Sequence, residues 1–583
     1  MERLLILSGL VLMVLCMKCS SIKEELLHVS TFGAYPNDNI DDAQAIQVAV
    51  NAAVKSEVHT TVVFGYGIYN LSSAINITNA SNLIITGQGM DQTILVGNKP
   101  IAIFFAEYCE GLTIRSLSLD FDPFSFTAGY VVDVSANYLD IQVQAPHRAD
   151  INQRASSIFR FDPVQMRPAF GPKAYQIFQH PPNATTSLVS PGVLRIPLRT
   201  AYKFVQEDPI VVIYDLTIHS IVLKYSTDVT IQSISIYGSW AFGLYGFRNQ
   251  RVNIIDYHAK PREGHWLSTS SDCMHFIDVR EYIRLSDSKC HLTADDGLNV
   301  HRILVHVTEV LNSSALMIMA MNLTDAINVG VGTRLEFSSE QQPFTAHGSG
   351  VVASITMNST NSGLFIFTTP VNATAGDWAY VAEKYTLTVK NFTVENNRGR
   401  GALLEAQNVD IRNSLFNRTS APAFFFQPSM FWHEGPGAHN VTLADNVYIN
   451  CNEGISQHGG IITFLPDPVQ TIPVIEDVRI ESSTFYFGNY SQGLIQGNNI
   501  NNVYISGNYL AINSSMPLIS ICNSRNITAS NNTVVDSQGK IDQYYTFDQT
   551  HPCQMNLSSL IDLPPSAFNS SFPPPVEIPH SSS

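Results

Sequence analysis

The feature that most constrains this chain is a short apolar strand pattern that keeps returning, followed each time by a second strand and a turn bearing Asn or Ser. It reads VTIQSISIYGS from Val229, VNIIDYHA from Val252, YIRLSDSKCHL from Tyr282, LTVKNFTVENN from Leu387, VDIRNSLFN from Val409, VTLADNVYINC from Val441, VRIESSTFYFGN from Val478, VYISGNYLAIN from Val503 and ITASNNTVVD from Ile527. Separations are 23 residues for Val229 to Val252, 22 for Leu387 to Val409, 25 for Val478 to Val503 and 24 for Val503 to Ile527. A unit this short buries its Ile/Val face only by stacking on the next unit, which is the requirement of a parallel β-helix. A β-sandwich also has many short strands, but the regular period favours the solenoid. The longer gaps from Val409 to Val441 and from Val441 to Val478 are expected to be loops projecting from a coil.

A solenoid needs a cap over its terminal apolar coil. DDAQAIQVAVNAAV supplies an amphipathic helix, with Ala45, Ile46, Ala49, Val50 and Ala53 on one stripe and Asp41 or Asp42 at its N-terminus. Two stretches break the coil period and are expected to be inserted β-rich modules. One carries YVVDVSANYLDIQVQ, LRIPL and VVIYDL; the other carries LVHVTEV, ALMIMAM, TRLEF, GVVASITM and GLFIFTT, with Gly348, Gly350 and Gly363 expected at or beside turns. The expected organisation is a signal peptide over 1–21, cap and first coils over 22–121, an insert over 122–219 and central coils over 220–302. A second insert then occupies 303–383, with C-terminal coils over 384–540 and a Pro/Ser-rich tail over 541–583.

Only 14% of the 583 residues are charged, against roughly a quarter in an average soluble domain, and the net charge is -16. That excludes a disordered acidic tail and a basic nucleic-acid binder. Arg3, the apolar run Leu4 to Cys16, then Lys18, Ser20 and Ser21 follow the order of a secretory signal peptide. Beyond it no stretch reaches the ~18 apolar residues of a membrane span. The expectation is a secreted or lumenal chain, lysosomal included, with neither membrane nor nucleic-acid partner. Seventeen Asn-x-Ser/Thr sequons fit that compartment. So do the six cysteines left after cleavage, Cys109, Cys273, Cys290, Cys451, Cys522 and Cys553, which allow up to three disulfides in any pairing or free buried thiols. They contain no CxxC pair, so zinc and redox chemistry are not expected.

The densest chemistry lies in REGHWLSTSSDCMHFIDVREYIRLSDSKCHLTADDGLNVH, from Arg262 to His301. Asp272 precedes Asp295 by 23 residues, one coil, so it is expected beside the Asp295–Asp296 pair. Carboxylates stacked on adjacent coils repel, which raises at least one pKa and lets one acid stay protonated while another is ionised. Glycoside hydrolysis needs that division. Asp295-Asp296-Gly297 also reads as an ordinary β-turn, but the nearby Arg262, His265, Trp266, His275, His291 and His301 favour a site.

The opening FGAYPNDNIDDAQAIQVAV resembles the N-terminal cap of pectin-degrading β-helix enzymes. HWLSTSSDCMHF and TADDGLNVH resemble the catalytic coils of glycoside hydrolase family 110, as do LDFDPFSFTAGYVVDV, YGSWAFGLY, TRLEF, NNRGRGALLEAQNVDIRNSLFN and FWHEGPGAHNVTLADN elsewhere, in the family's order. The resemblance implies a right-handed parallel β-helix with β-barrel modules, and an inverting exo-α-1,3-galactosidase acting without metal or cofactor on glycans ending in α-galactose. It makes Asp272, Asp295 and Asp296 the catalytic acids. By looser analogy to family 28 polygalacturonases, Asp295 protonates the glycosidic oxygen while Asp272 and Asp296 orient and deprotonate the water. Arg262, Trp266, His275, His301, Arg398, Arg400, Trp432 and Glu434 are the expected sugar contacts, since Arg forks onto hydroxyls, Trp covers the apolar sugar face and Glu accepts hydroxyl protons. Where the family continues NVHG, Arg302 follows His301, a departure that bears on specificity. A polysaccharide lyase, a polygalacturonase-like hydrolase and a non-catalytic glycan-binding β-helix are the other readings. The acids, with no stacked Lys or basic cluster for uronates, favour the galactosidase.

Overall fold

The computed structural model describes residues 24–548, apart from 179–183, 215, 217, 321–328, 360, 455–458, 468–469, 471, 514–517, 537–540 and 543–546. The expected signal peptide and most of the expected tail, with Cys553, lie outside the described residues.

Each coil gives a short strand to one parallel sheet and a long, bent strand to another, as in Leu244–Phe247 followed by Gln250–Ala259 and Met274–Ile277 followed by Arg280–His291. The register repeats the sequence period: Val229 pairs with Val252, Leu387 with Val409, Val478 with Val503, and Val503 with Ile527. Inside the coil Ile231, Ile254, Leu285, Val389, Ile411, Leu443, Ile480 and Ile505 stack in one column, all buried. At roughly 1.5–3 kcal/mol for each fully buried aliphatic side chain, such columns hold the coils together. The bends fall on Ser233, Asp256, Asp287 and Asn391, with φ of 50°, 56°, 54° and 51°. Asn and Asp tolerate this left-handed region best, which explains the polar turns of the repeat. The result is a right-handed parallel β-helix, the hand that parallel crossovers take.

The helix Ala43–Val54 caps the first coils and buries Ala43, Ile46, Ala49, Val50 and Ala53. Asp41, one residue before the N-cap, accepts the Ala43 N–H at 3.2 Å, whereas Asp42 ties down the N–H groups of Tyr35 and Asn70.

The first insert is an eight-stranded antiparallel sheet running from Phe126–Val134 to Pro209–Tyr214. The second is a closed six-stranded barrel, from Val305–Asn312 to Trp378–Val381, around Val307, Leu316, Ile318, Leu335, Phe337 and Phe365. Gly348 and Gly350 lie within the barrel strand Gln342–Met357, not at turns, whereas Gly363 is the second residue of Ser362–Phe367, beside the turn in which the Asn358 N–H donates to Ser362 O. A Cβ on Gly348 or Gly350 would come within 2.2 Å of Asn372 O or Val371 Cγ1, so they are glycines because another segment packs against them.

The first insert leaves the coil just before a strand of the short-strand sheet, Ile221–Lys224, and the second just after another, Leu298–Ile303. All these strands run the same way. The inserts therefore stand at opposite edges of that sheet. The ladder also closes over the barrel: Leu298 pairs with Ala402 and Val300 with Leu404 as though nothing intervened.

Candidate active site

Asp272 and Asp296 each sit two residues before a strand of this sheet, Met274–Ile277 and Leu298–Ile303, and Met274 pairs with Leu298. The coil spacing here is thus 24, so Asp272 aligns with Asp296 and Asp295 stands one residue to the side. The Asp296 N–H donates to Asp272 Oδ1 at 3.2 Å. One coil further on, Arg400 takes the same position before Ala402–Leu404 and donates its backbone N–H and Nη1 to Asp296 Oδ1 and Oδ2 at 2.7 and 2.9 Å. Asp295, 31% exposed, accepts Arg398 Nη2 at 2.7 Å. Gly399 separates the two arginines, and a Cβ there would lie 2.6 Å from both Asp295 Oδ1 and Asp296 Oδ1, so only glycine lets the carboxylates crowd this turn.

One oxygen from each of Asp272, Asp295 and Asp296 lies within 4.8 Å of the others. Three carboxylates at that spacing could approach a cation, but the set is already answered: Asp295 by Arg398, Asp296 by Arg400 and Asp272 by His275. Burial, then the charge of Asp295, lifts Asp272 well above the usual carboxylate range. Burial likewise pushes Asp296 up to about 7, against the pull of Arg400. Two of the three carboxyls are thereby displaced toward the neutral, proton-holding form.

On the outward face of the same strands His275 Nδ1 meets Asp272 Oδ2 at 2.7 Å, and His275 Nε2 meets His301 Nε2 at 3.0 Å. Phe242 stacks on the His275 ring at 4.4 Å and 9°. Burial, then His301, drives His275 down to about 3, so its imidazole is neutral. Glu434, on a two-residue strand paired antiparallel to Arg302 and Ile303, brings Oε1 within 3.5 Å of His301 Nε2.

The structure thus gathers Asp272, Asp295, Asp296, His275, His301, Arg398, Arg400 and Glu434. Trp266 and Arg262 have other partners. Trp266 is buried in the seam with the first insert, stacked on Phe161 at 4.9 Å and edge-on to Tyr130. Arg262 pairs with Asp120 and lines a cavity of about 180 Å³ with Phe124, His147 and His265. His291 stands 3.6 Å from Glu395. Trp432 is 46% exposed, edge-on to Phe431.

Four further residues escape a reading of the sequence. Gln176 of the first insert accepts Arg398 Nη1 at 2.6 Å, and Phe178 lies 5.3 Å from that guanidinium. Glu405, buried beyond Leu404, has no hydrogen-bond partner on either oxygen, and burial together with Glu434 raises it well above its usual range. Asn299, next to His275 in register, is buried with Oδ1 unpartnered. Gln176 and Glu405 carry no local signal, because the first reaches the site through the packing of the insert that contains it and the second is placed by register across the barrel.

Cys273, next to Asp272, is bonded to Cys290 at the end of the following long strand, while Cys109 and Cys451 are buried thiols. Among the described residues no helix is long and apolar enough to cross a membrane.

No protein-family model matches the sequence. The chain is 22% identical over 525 residues to alpha-1,3-galactosidase A of Shewanella woodyi, covering 81% of this chain and 83% of the relative. It is 22% identical over 561 residues to alpha-1,3-galactosidase B of Bacteroides thetaiotaomicron, covering 85% and 88%. Similar solved structures include the catalytic domain of Agl-KA, with TM-score 0.42, 12% identity and coverage of 88% of this chain and 68% of that one. The family 28 exopolygalacturonase of Yersinia enterocolitica gives 0.41, 10%, 89% and 80%. At these scores the fold assignment rests on the strand ladders themselves. With those ladders and the two long alignments together, the chain is a parallel β-helix protein similar over most of its length to α-1,3-galactosidases, in line with its resemblance to glycoside hydrolase family 110.

Proposed function

We propose that this chain is a secreted, exo-acting glycoside hydrolase that removes terminal α-1,3-linked galactose with inversion at the anomeric carbon. The observation that carries the proposal is the stack of Asp272, Asp296 and Arg400 at one position of three adjacent coils, with the more open Asp295 beside it, in a chain whose relatives bear the name α-1,3-galactosidase. Asp295 is the acid. It is the most exposed of the three, and Arg398 engages Oδ2 at 2.7 Å while leaving Oδ1 to face the glycosidic oxygen. Asp272 and Asp296 orient and deprotonate the water. Exo action fits inserts that stand at both edges of the sheet carrying the site. Secretion is supported by the N-terminal pattern, the sequons and the Cys273–Cys290 bridge, since disulfides persist in oxidising compartments.

Retention is a second stereochemical reading with an observation behind it. The nearest carboxylate oxygens lie within 4.8 Å, closer than the roughly 6.5–9.5 Å between the carboxyl groups of most inverting sites. Incubation with Galα1-3Gal, followed by proton NMR of the first turnovers, separates the two. β-Galactose establishes linkage and inversion, and α-galactose establishes retention. Cleavage of polygalacturonate alone would transfer the site to another substrate class, and chelator-sensitive elimination products would indicate a lyase. Asp295→Asn is expected to lower turnover at least ~100-fold with the melting temperature little changed; wild-type turnover in that variant would remove Asp295 from the mechanism.

A further inference from the structure

Asp272, His275, His301 and the Arg302 carbonyl form an unbroken line of hydrogen bonds, at 2.7, 3.0 and 3.1 Å. The last member fixes the direction of the rest. A carbonyl only accepts, so His301 Nδ1 carries the hydrogen and His301 Nε2 offers a lone pair. His275 Nε2 therefore donates to His301, and its Nδ1 is the bare nitrogen facing Asp272 Oδ2. With the His275 imidazole neutral, a carboxylate there would set two acceptors 2.7 Å apart, so Oδ2 bears a proton that it donates to His275. The Phe242 stack keeps the His275 ring in the plane this line requires.

We propose that His275 and His301 are a proton relay that sets the charge of Asp272 from its far end, and that Glu434 is the positioning residue that makes the relay reversible. In the resting arrangement Asp272 is neutral and both imidazoles are neutral. In the alternative the Asp272 O–H bond breaks as a His275 Nδ1–H bond forms, while His275 Nε2–H breaks as His301 Nε2–H forms. No proton enters or leaves. The product is an Asp272 carboxylate and a His301 imidazolium, and Glu434 Oε1, 3.5 Å from His301 Nε2, supplies the opposing charge. The groups facing Asp272 are Asp295, Asp296, Arg400, Glu434 and His275; those facing His301 are His275, Glu434 and the Arg302 main chain. The burial that raises Asp272 and lowers His275 favours the neutral arrangement at rest. The relay thus lets Asp272 sit uncharged among two other carboxyls until a base is needed.

The catalytic use of this line rests on the hydrolase reading above, so its test has one arm that needs no turnover. Full-length protein labelled with ring-¹⁵N histidine is examined by long-range proton–nitrogen correlation near neutral pH, with signals assigned through His275→Gln and His301→Gln. His275 is expected to be protonated on Nε2 alone and His301 on Nδ1 alone. Asp272→Asn, whose side-chain N–H replaces the carboxyl O–H as donor, is expected to leave the His275 tautomer unchanged. A proton on His275 Nδ1 in the wild type, or its appearance there only when Asp272 is intact, would overturn the proposal. In the second arm, Glu434→Gln is expected to lower kcat on Galα1-3Gal by ~10–100-fold with KM within about twofold. A rise in KM at unchanged kcat would make Glu434 a sugar contact and overturn its role in the relay. Expected tautomers in a protein that cleaves no galactoside would retain the proton line and remove only the hydrolase reading.

Discussion

Arg400 donates to Asp296 twice, once from its backbone and once from its guanidinium, so both oxygens of a fully buried carboxyl are held by one residue on the next coil. Breaking a buried pair by removing one partner costs about 3–5 kcal/mol because the other charge is stranded. Arg400→Ala is therefore expected to lower the melting temperature clearly and abolish turnover. Arg400→Lys, which keeps the main-chain bond and the charge, is expected to retain most of the stability and lose ~10–100-fold in kcat/KM. Thermal denaturation alongside initial rates checks both, and an alanine variant as stable as the wild type would contradict the pairing.

Asp296 ionises near 7 in the folded chain, against an ordinary value of 3.8. Between those values the folded chain keeps a proton that the unfolded chain has released, so stability falls as pH rises through the window, by up to about 1.4 kcal/mol per unit. Below it both states are protonated, and above it both are ionised and the loss stays in full. Asp296→Asn has no such group. The difference in melting temperature between variant and wild type should move in the variant's favour from pH 4 to 7 and then level off, while a constant difference would count against the elevated value.

Gln176 reaches from the first insert to Arg398, which in turn holds Asp295. Gln176→Ala is expected to lower kcat ~3–10-fold, the scale of about one lost hydrogen bond, with little change in melting temperature. Unchanged kinetics would show that Arg398 holds its position without the insert.

The Cys273–Cys290 bond closes a 17-residue span and ends beside Asp272. Its removal in Cys273→Ala/Cys290→Ala is expected to cost about 3 kcal/mol, seen as a lower melting temperature, and to reduce kcat by loosening the turn that presents Asp272. Both sulfurs are buried, so the folded wild type should keep its activity in mild reductant.

The coils were legible because stacking demands a constant period, and the four separations read from Val229/Val252, Leu387/Val409, Val478/Val503 and Val503/Ile527 are the pairings the ladder makes. The proximity of Asp272 to the Asp pair followed from the same period, but its alignment with Asp296 did not. The coil there is 24 residues long, and one residue changes which carboxyl lines up. Glu405 aligns one coil beyond His301, a relation hidden by the intervening barrel. Trp266, adjacent to His265 in a motif rich in catalytic residue types, turns instead into the apolar seam with Phe161. Sequence proximity reveals which turn a residue occupies, and the insert packing against that turn decides which way its ring faces.

The ladder that closes over the barrel also imposes an order in time. Asp296 and Arg400 are 104 residues apart along the chain, so at a synthesis rate of roughly 5–20 residues per second the arginine follows its partner by about 5–20 s. Throughout that interval the growing coil ends in an unsealed apolar layer, with an acid that has no counter-ion, while the barrel is still being made. Completion of the carboxylate cluster is thus one of the later events in the birth of the molecule, and a nascent chain halted inside the barrel carries all three aspartates without a finished site.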